Sequence, residues 1–498
     1  MARSKESTRP LKKHKAKLRS AAPETEQDFQ EAADLEEETG GKWRAGDPAK
    51  SGRAFVRALE IYDQALQRHP QSFDLAYNKA RLELEITQRP ALVAHIGLPL
   101  SELLKQTLLS HRYALRLNEE NPDVLFNTSQ VLIALAEQFL ESDGHATDEA
   151  VTLLQEALEV LSACLSRQEM LLEQQRADFE EVEEGGGGVA VEADEKPVST
   201  PIAEESGELA TIESPVTPAD LLDTVQASLS ALNTLVSVAD ASALQTYGDM
   251  AQTLTESRAP AFISQLPAEE QGAARFQLAI DRASFIAALA DAQYNAFTIE
   301  AETYLARLTT FDEIPNKDQH PEALQSEAGA RSEFCRSIIL RFDESADPSE
   351  LPTEICWKQL SLAQTCYGKA AKLGPSTETY LSRGDAEMLR HRIATWPSGK
   401  VSDAIRKSAP TLVQNAETYY RGAAKLAGGD EGLREKALER LLVAALVRGV
   451  FYGVQLDKEV EERVRAGGEV VLTGLEGCVE EGLVDQQSAK KLAQALSN

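Results

Sequence analysis

From Glu26 onward the chain places apolar and small side chains at steps of four and three residues, with charged and amide side chains between them. Steps of that size return to one face of a 3.6-residue turn, so the pattern predicts amphipathic helices and few or no strands. A first helix is expected from Glu26 to about Trp43, closed by the Gly46-Asp47-Pro48 breaker. A second is expected from about Ser51 to Arg68, closed by Pro70. Ala, Leu and Glu are abundant and aromatic residues make up only 6% of the chain, a mixture whose side chains lose little rotamer freedom in a helix.

The second helix carries Ala58, Tyr62 and Ala65 ahead of Pro70, so small and aromatic residues share one face and a neighbouring helix can approach closely. These residues resemble the second helix of a tetratricopeptide repeat, and Leu75, Ala76, Tyr77, Asn78 and Ala80 resemble the first helix of the next. The pattern recurs. Leu104, His111 and Ala114 precede Leu125-Phe126-Asn127, and Ala150, Leu154 and Ala157 lie in a third unit, on a helix that Thr147 would cap and that runs toward Phe179. Ala363, Tyr367, Ala370 and Pro375 reproduce the full pattern, and Ala416, Tyr420 and Ala423 follow it. The spacing is 49 residues between Asn78 and Asn127, against roughly 34 for the family, and 53 between Tyr367 and Tyr420. The surplus is placed in loops at 87–99 and 396–410, each marked by Pro and Gly. The resemblance implies an all-α, helical-repeat α-solenoid.

Two segments break the pattern. Residues 1–24 are Lys/Arg-rich without an apolar face, and residues 180–217 hold eleven acidic residues, one Lys and four consecutive glycines. Neither buries enough apolar surface to offset ordering, so both are expected to be disordered. The expected organisation is a basic tail (1–24), N-terminal repeats (25–179), an acidic insert (180–217), a divergent helical region (218–345) and C-terminal repeats (346–498). Within 218–345, the run from Ala268 to Phe311 is read as two helices or one unusually long one.

Net charge is −29, with +7 concentrated in residues 1–20 and −36 elsewhere. Such a body repels phosphate backbones and anionic lipid and attracts basic protein partners. Five cysteines without paired spacing point to reduced thiols and a cytoplasmic or nuclear setting. The most apolar stretch, Leu441 to Val454, contains Arg448 and is too short to span a bilayer. Gly399-Lys400 lacks the upstream glycine of a phosphate-binding loop, and the seven histidines are scattered. No catalytic residue, metal ligand, cofactor or small-molecule substrate is therefore expected, and direct nucleic-acid contact is expected only through the tail.

The resemblance further implies a concave surface lined by the first helix of each repeat. Asn78 and Asn127 occupy matching places on two such helices. In family members that grip acidic chaperone tails, asparagines at such places join cations in a carboxylate clamp. Here Asp74 and Asp123 lie one turn earlier, where the clamp needs a cation. Either the asparagines only bond neighbouring backbone, or they belong to a groove for a Lys/Arg-rich segment comprising Asp74, Asn78, Arg81, Asp123, Asn127 and Gln130. In the tail, Lys12, Lys13, Lys15, Lys17 and Arg19 resemble a nuclear-import signal, with nucleic-acid contact and a clasp on the acidic insert as alternatives. The expected function is a protein-interaction scaffold or adaptor. The alternatives are an escort chaperone for a basic client such as a ribosomal protein or histone, and an enzyme without a recognisable motif.

Overall fold

The computed structural model describes residues 23–142, 147–185, 215–343, 351–397, 401–428, 430–466 and 468–496. The import signal and nearly all of the basic tail lie outside them, as does most of the acidic insert. Among the described residues there is no strand.

The first repeats comprise α1 (Glu26–Trp43), α2 (Pro48–Arg68), α3 (Phe73–Thr87), a one-turn α4 (Pro90–Val93), α5 (Leu100–Leu117), α6 (Pro122–Ser142) and α7 (Thr147–Gly185). Across the middle run α8 (Pro218–Val238), α9 (Leu244–Thr253), a π-helical turn (Leu254–Arg258), α10 (Ala259–Ile263), α11 (Ala268–Asn295), α12 (Ala301–Arg307) and α13 (Pro321–Asp343). The chain continues with α14 (Thr353–Leu373), α15 (Thr377–Thr395), α16 (Asp403–Leu426), α17 (Glu431–Tyr452), α18 (Lys458–Ala466), α19 (Gly468–Glu480) and α20 (Gln486–Leu496).

Local chemistry sets these bounds. Thr25 accepts from the Asp28 amide while Asp28 reaches back to Thr25, a reciprocal cap that starts α1. Asp47 caps α2 with Pro48 in its first turn, so the expected breaker is also a start signal. The run from Ala268 divides into α11 and α12, and α7 continues to Gly185, into the segment assigned to the insert.

One expected loop is corrected. Only the stretch between Thr395 and Asp403 separates α15 from α16, and Pro410 lies within α16. Pro410 is exposed, so the carbonyl that loses its amide partner lies on the solvent side and the helix carries on. Part of the long spacing therefore resides in helix length, since α2, α6, α14 and α16 have 21, 21, 21 and 24 residues.

Packing is between near neighbours. α1 lies on α2, α3 on α5, α5 on α6, α6 on α7 and α7 on α8; α8 meets α11, α11 meets α13, and α13 to α17 pair in succession. Alternate helices also touch, α3 with α6, α6 with α8, α13 with α15 and α15 with α17. The apolar core follows this order as a string of clusters along the chain, the signature of a helical-repeat solenoid.

The aromatic positions of the repeat pattern sit inside the pairs. Tyr62 and Tyr420 are fully buried and Tyr367 nearly so. Two of the hydroxyls have a carboxylate partner: Tyr62 donates to Glu37 at 2.7 Å and Tyr420 donates to Asp385 at 2.8 Å. Glycines stand opposite two buried rings, one of them Tyr420. A Cβ on Gly384 would overlap the Tyr420 ring, and one on Gly40 would overlap Phe55.

Glu83, on α3, is buried beside Lys79, whose ammonium lies 3.6 Å away and 2.6 Å from Asp63. Burial pushes its carboxyl up to about 7, with Lys79 opposing the shift. The folded chain then holds a proton that the unfolded chain releases near the ordinary value of 4.5. Stability from this group is complete below that value and is lost as pH rises through about 7.

Gly-to-Ala inside a helix ordinarily stabilises by roughly 1 kcal/mol. Gly384→Ala is expected to do the reverse, costing about 1–3 kcal/mol because the new methyl meets a fixed ring; a raised thermal midpoint would show the ring moving aside. Glu83→Gln should raise Tm by a few degrees at pH 8 and have little effect at pH 4. A lower midpoint at pH 8 would mean that Lys79 holds the carboxylate ionised.

Candidate functional site

The first helices α1, α3 and α6 stand side by side and present one polar face. On α3 it runs Asp74, Asn78, Arg81 and Glu85 to the capping Gln88, and on α6 Asp123, Asn127, Gln130, Ala134, Glu137 and Glu141, every step four or three residues. Asp74, Asp123, Glu137 and Glu141 are exposed; Asn78, Arg81, Asn127 and Gln130 are half-buried.

All six sequence-predicted groove residues thus lie on this face, but their environments differ. Asn78 donates to Gln30 of α1 at 3.0 Å, and Asn127 donates to the Tyr77 hydroxyl of α3 at 3.1 Å. Each asparagine therefore bridges to the preceding first helix through side chains. Gln30 donates to Tyr62 at 3.2 Å, and Tyr62 in turn donates to Glu37. Arg81 pairs with the same Glu37 at 2.6 Å and lies 3.9 Å from Glu85. Glu85 also takes Arg44 at 2.5 Å and Arg89 at 3.4 Å. The cations on this part of the face are consequently engaged by the chain's own carboxylates.

Toward the C-terminal ends of α3 and α6 the face opens into a cleft of about 390 Å³ between α3, α5, α6 and α8. Leu84, Leu100, Leu104 and Ile133 form apolar wall, while Gln88, Gln130, Glu137 and Glu141 supply polar lining. Among the described residues no Lys or Arg lines it. Glu137's carboxyl is held above its ordinary range, first by partial desolvation and second by the charge of Glu141 one turn away. Glu137 and Glu141 were absent from the sequence-based groove, although they continue the spacing that runs through Asp123, Asn127 and Gln130.

Other candidate chemistry resolves into packing. His111 is fully buried, and burial holds its pKa down to about 4, leaving a neutral ring. His391 is likewise held to about 4 and shares a 2.7 Å hydrogen bond with the Tyr452 hydroxyl. All five cysteines are free thiols, and burial pushes Cys366 and Cys478 up to about 11. In the C-terminal repeats, buried Arg440 pairs with Glu481, which ties α17 to the turn that follows α19. Among the described residues no group of three or more His, Cys, Asp or Glu is placed to hold a metal, and no helix is long and apolar enough to cross a membrane.

No protein-family model matches the chain. The UPF0656 protein C926.02 of Schizosaccharomyces pombe is 36% identical to it over 159 residues, which span 32% of this chain and 34% of that protein. Among solved structures, a circular tandem repeat protein aligns over 95% of this chain and 99% of its own, with 14% identity and a TM-score of 0.27. The S. pombe nuclear import adaptor Nro1 aligns over 79% of this chain and 99% of its own, with 15% identity and a TM-score of 0.25.

If the two asparagines brace adjacent repeats, Asn78→Ala and Asn127→Ala should each lower unfolding free energy by about 1 kcal/mol in denaturant titration. Unchanged midpoints would assign both amides to ligand contact alone.

Proposed function

We propose that this protein is a non-enzymatic interaction scaffold whose α1–α3–α6 face holds an extended Lys/Arg-rich segment of another protein. The observation that carries this reading is the imbalance of free charge on the face. Arg81, Arg44 and Arg89 are engaged by Glu37 and Glu85, whereas Asp74, Glu137 and Glu141 project from it with no ion pair among the described residues. A basic segment gains Coulomb energy there and an acidic one loses it. The same sign argues against the carboxylate clamp of the tetratricopeptide proteins that this chain resembles. An overall charge of −29 extends the preference for cationic partners to the approach path.

Within this class, escort of one basic client is the reading that uses the most of the chain. The acidic face would neutralise the client, and the acidic insert would add carboxylates beside it. A general adaptor would use the same face for several partners.

Capture of partners by the tagged full-length protein separates the two. A single strongly basic protein, recovered at low salt and lost at moderate salt, is expected for an escort; several salt-resistant partners would favour the adaptor. Asp74→Lys combined with Asp123→Lys should weaken a basic partner about tenfold and spare a neutral one. Equal affinity for parent and variant would remove this face as the binding surface.

A further inference from the structure

We propose that the cleft between α3, α5, α6 and α8 is an anchor for one arginine side chain of the bound segment. The inference rests on the basic-partner reading above and assigns that partner a specific contact.

An arginine has an apolar three-carbon stem and a planar head with five N–H donors and no acceptor. The cleft matches both parts. Leu84, Leu104 and Ile133 offer the stem an apolar wall, and Glu137 and Glu141, one turn apart on α6, offer the head two carboxylates. Gln88, which caps α3, and Gln130 of α6 add amide oxygens. The cleft also lies at the carboxyl end of α3, where the helix dipole favours a cation. A volume of about 390 Å³ admits the side chain together with bridging water.

Position supports the same occupant. Gln130, Ala134, Glu137 and Glu141 continue the strip that begins at Asp123, so a segment lying along α6 would pass over the cleft mouth. A partly desolvated Glu137 repelled by Glu141, with no Lys or Arg among the described lining residues, is a charge deficit that an incoming guanidinium would relieve. Lysine has three donors on a compact, strongly hydrated head and would serve the spread of acceptors less well.

The test titrates the full-length protein with fluorescein-labelled hexaarginine and hexalysine peptides at low salt, read by fluorescence anisotropy. The parent is expected to prefer hexaarginine. Glu137→Gln with Glu141→Gln, at exposed positions that leave the fold intact, should weaken hexaarginine about tenfold. Ala134→Phe, which fills the cleft without changing charge, should abolish the preference for arginine over lysine. Hexaarginine binding the parent and all variants alike would overturn the anchor while leaving the basic-partner reading standing; failure of both peptides to bind the parent would overturn both. A photo-crosslinking residue at position 134 identifies the occupant. Capture of the peptide supports the proposal, whereas a crosslink to residues 1–22 of the same chain or to a second copy assigns the cleft to another occupant and overturns it.

Discussion

The architecture depends on how closely consecutive helices can approach. Where Gly384 faces Tyr420 and Gly40 faces Phe55, the missing side chain on one helix is the space filled by a ring from the next. An interlock of that kind fixes separation and register together, because a ring displaced by one residue meets a Cβ instead of a gap. The buried phenols of Tyr62 and Tyr420 then require polar partners, and Glu37 and Asp385 are drawn inward to provide them. Glu37 in turn captures Arg81, so a packing requirement between α1 and α2 determines which charges are left over on the neighbouring α3.

That chain of consequences links the core to the surface. The negative character of the first-helix face is not a matter of acidic composition alone. It arises because buried contacts and the ion pairs around Glu37 and Glu85 consume the available cations, leaving carboxylates such as Asp74 and Glu137 at the surface. Cross-helix pairs of this sort also explain why the asparagines do not stand ready as free amides. Asn78 and Asn127 each reach a residue on the preceding first helix, and so help to set the spacing of the surface on which they lie.

Much of the fold was legible because its determinants are local. The limits of α1 follow from the Thr25/Asp28 cap and the Gly46 region, and the paired small and aromatic positions of α2 and α14 identify the faces that meet. Pro410 misled because a breaker is judged from sequence without knowing which side of a helix it occupies; on the solvent side, α16 tolerates it. The six groove residues share a face, as their spacing required, yet their hydrogen-bond partners could not be read, since Gln30 and Tyr77 belong to other helices. The cleft was further out of reach. Its α6 lining continues a visible period, but its walls come from α5 and its far side from Ser230 of α8, beyond the acidic insert.

Among the described residues the main contacts run from each helix to near successors along the chain, and none of them joins the first helices to the last. A chain built this way can assemble progressively as it leaves the ribosome, each new hairpin docking on a surface already formed. The walls of the cleft are complete once α8 has docked, well before the C-terminal repeats exist. A ligand held by that early-formed region could therefore be met by a nascent molecule whose remaining helices are still being synthesised.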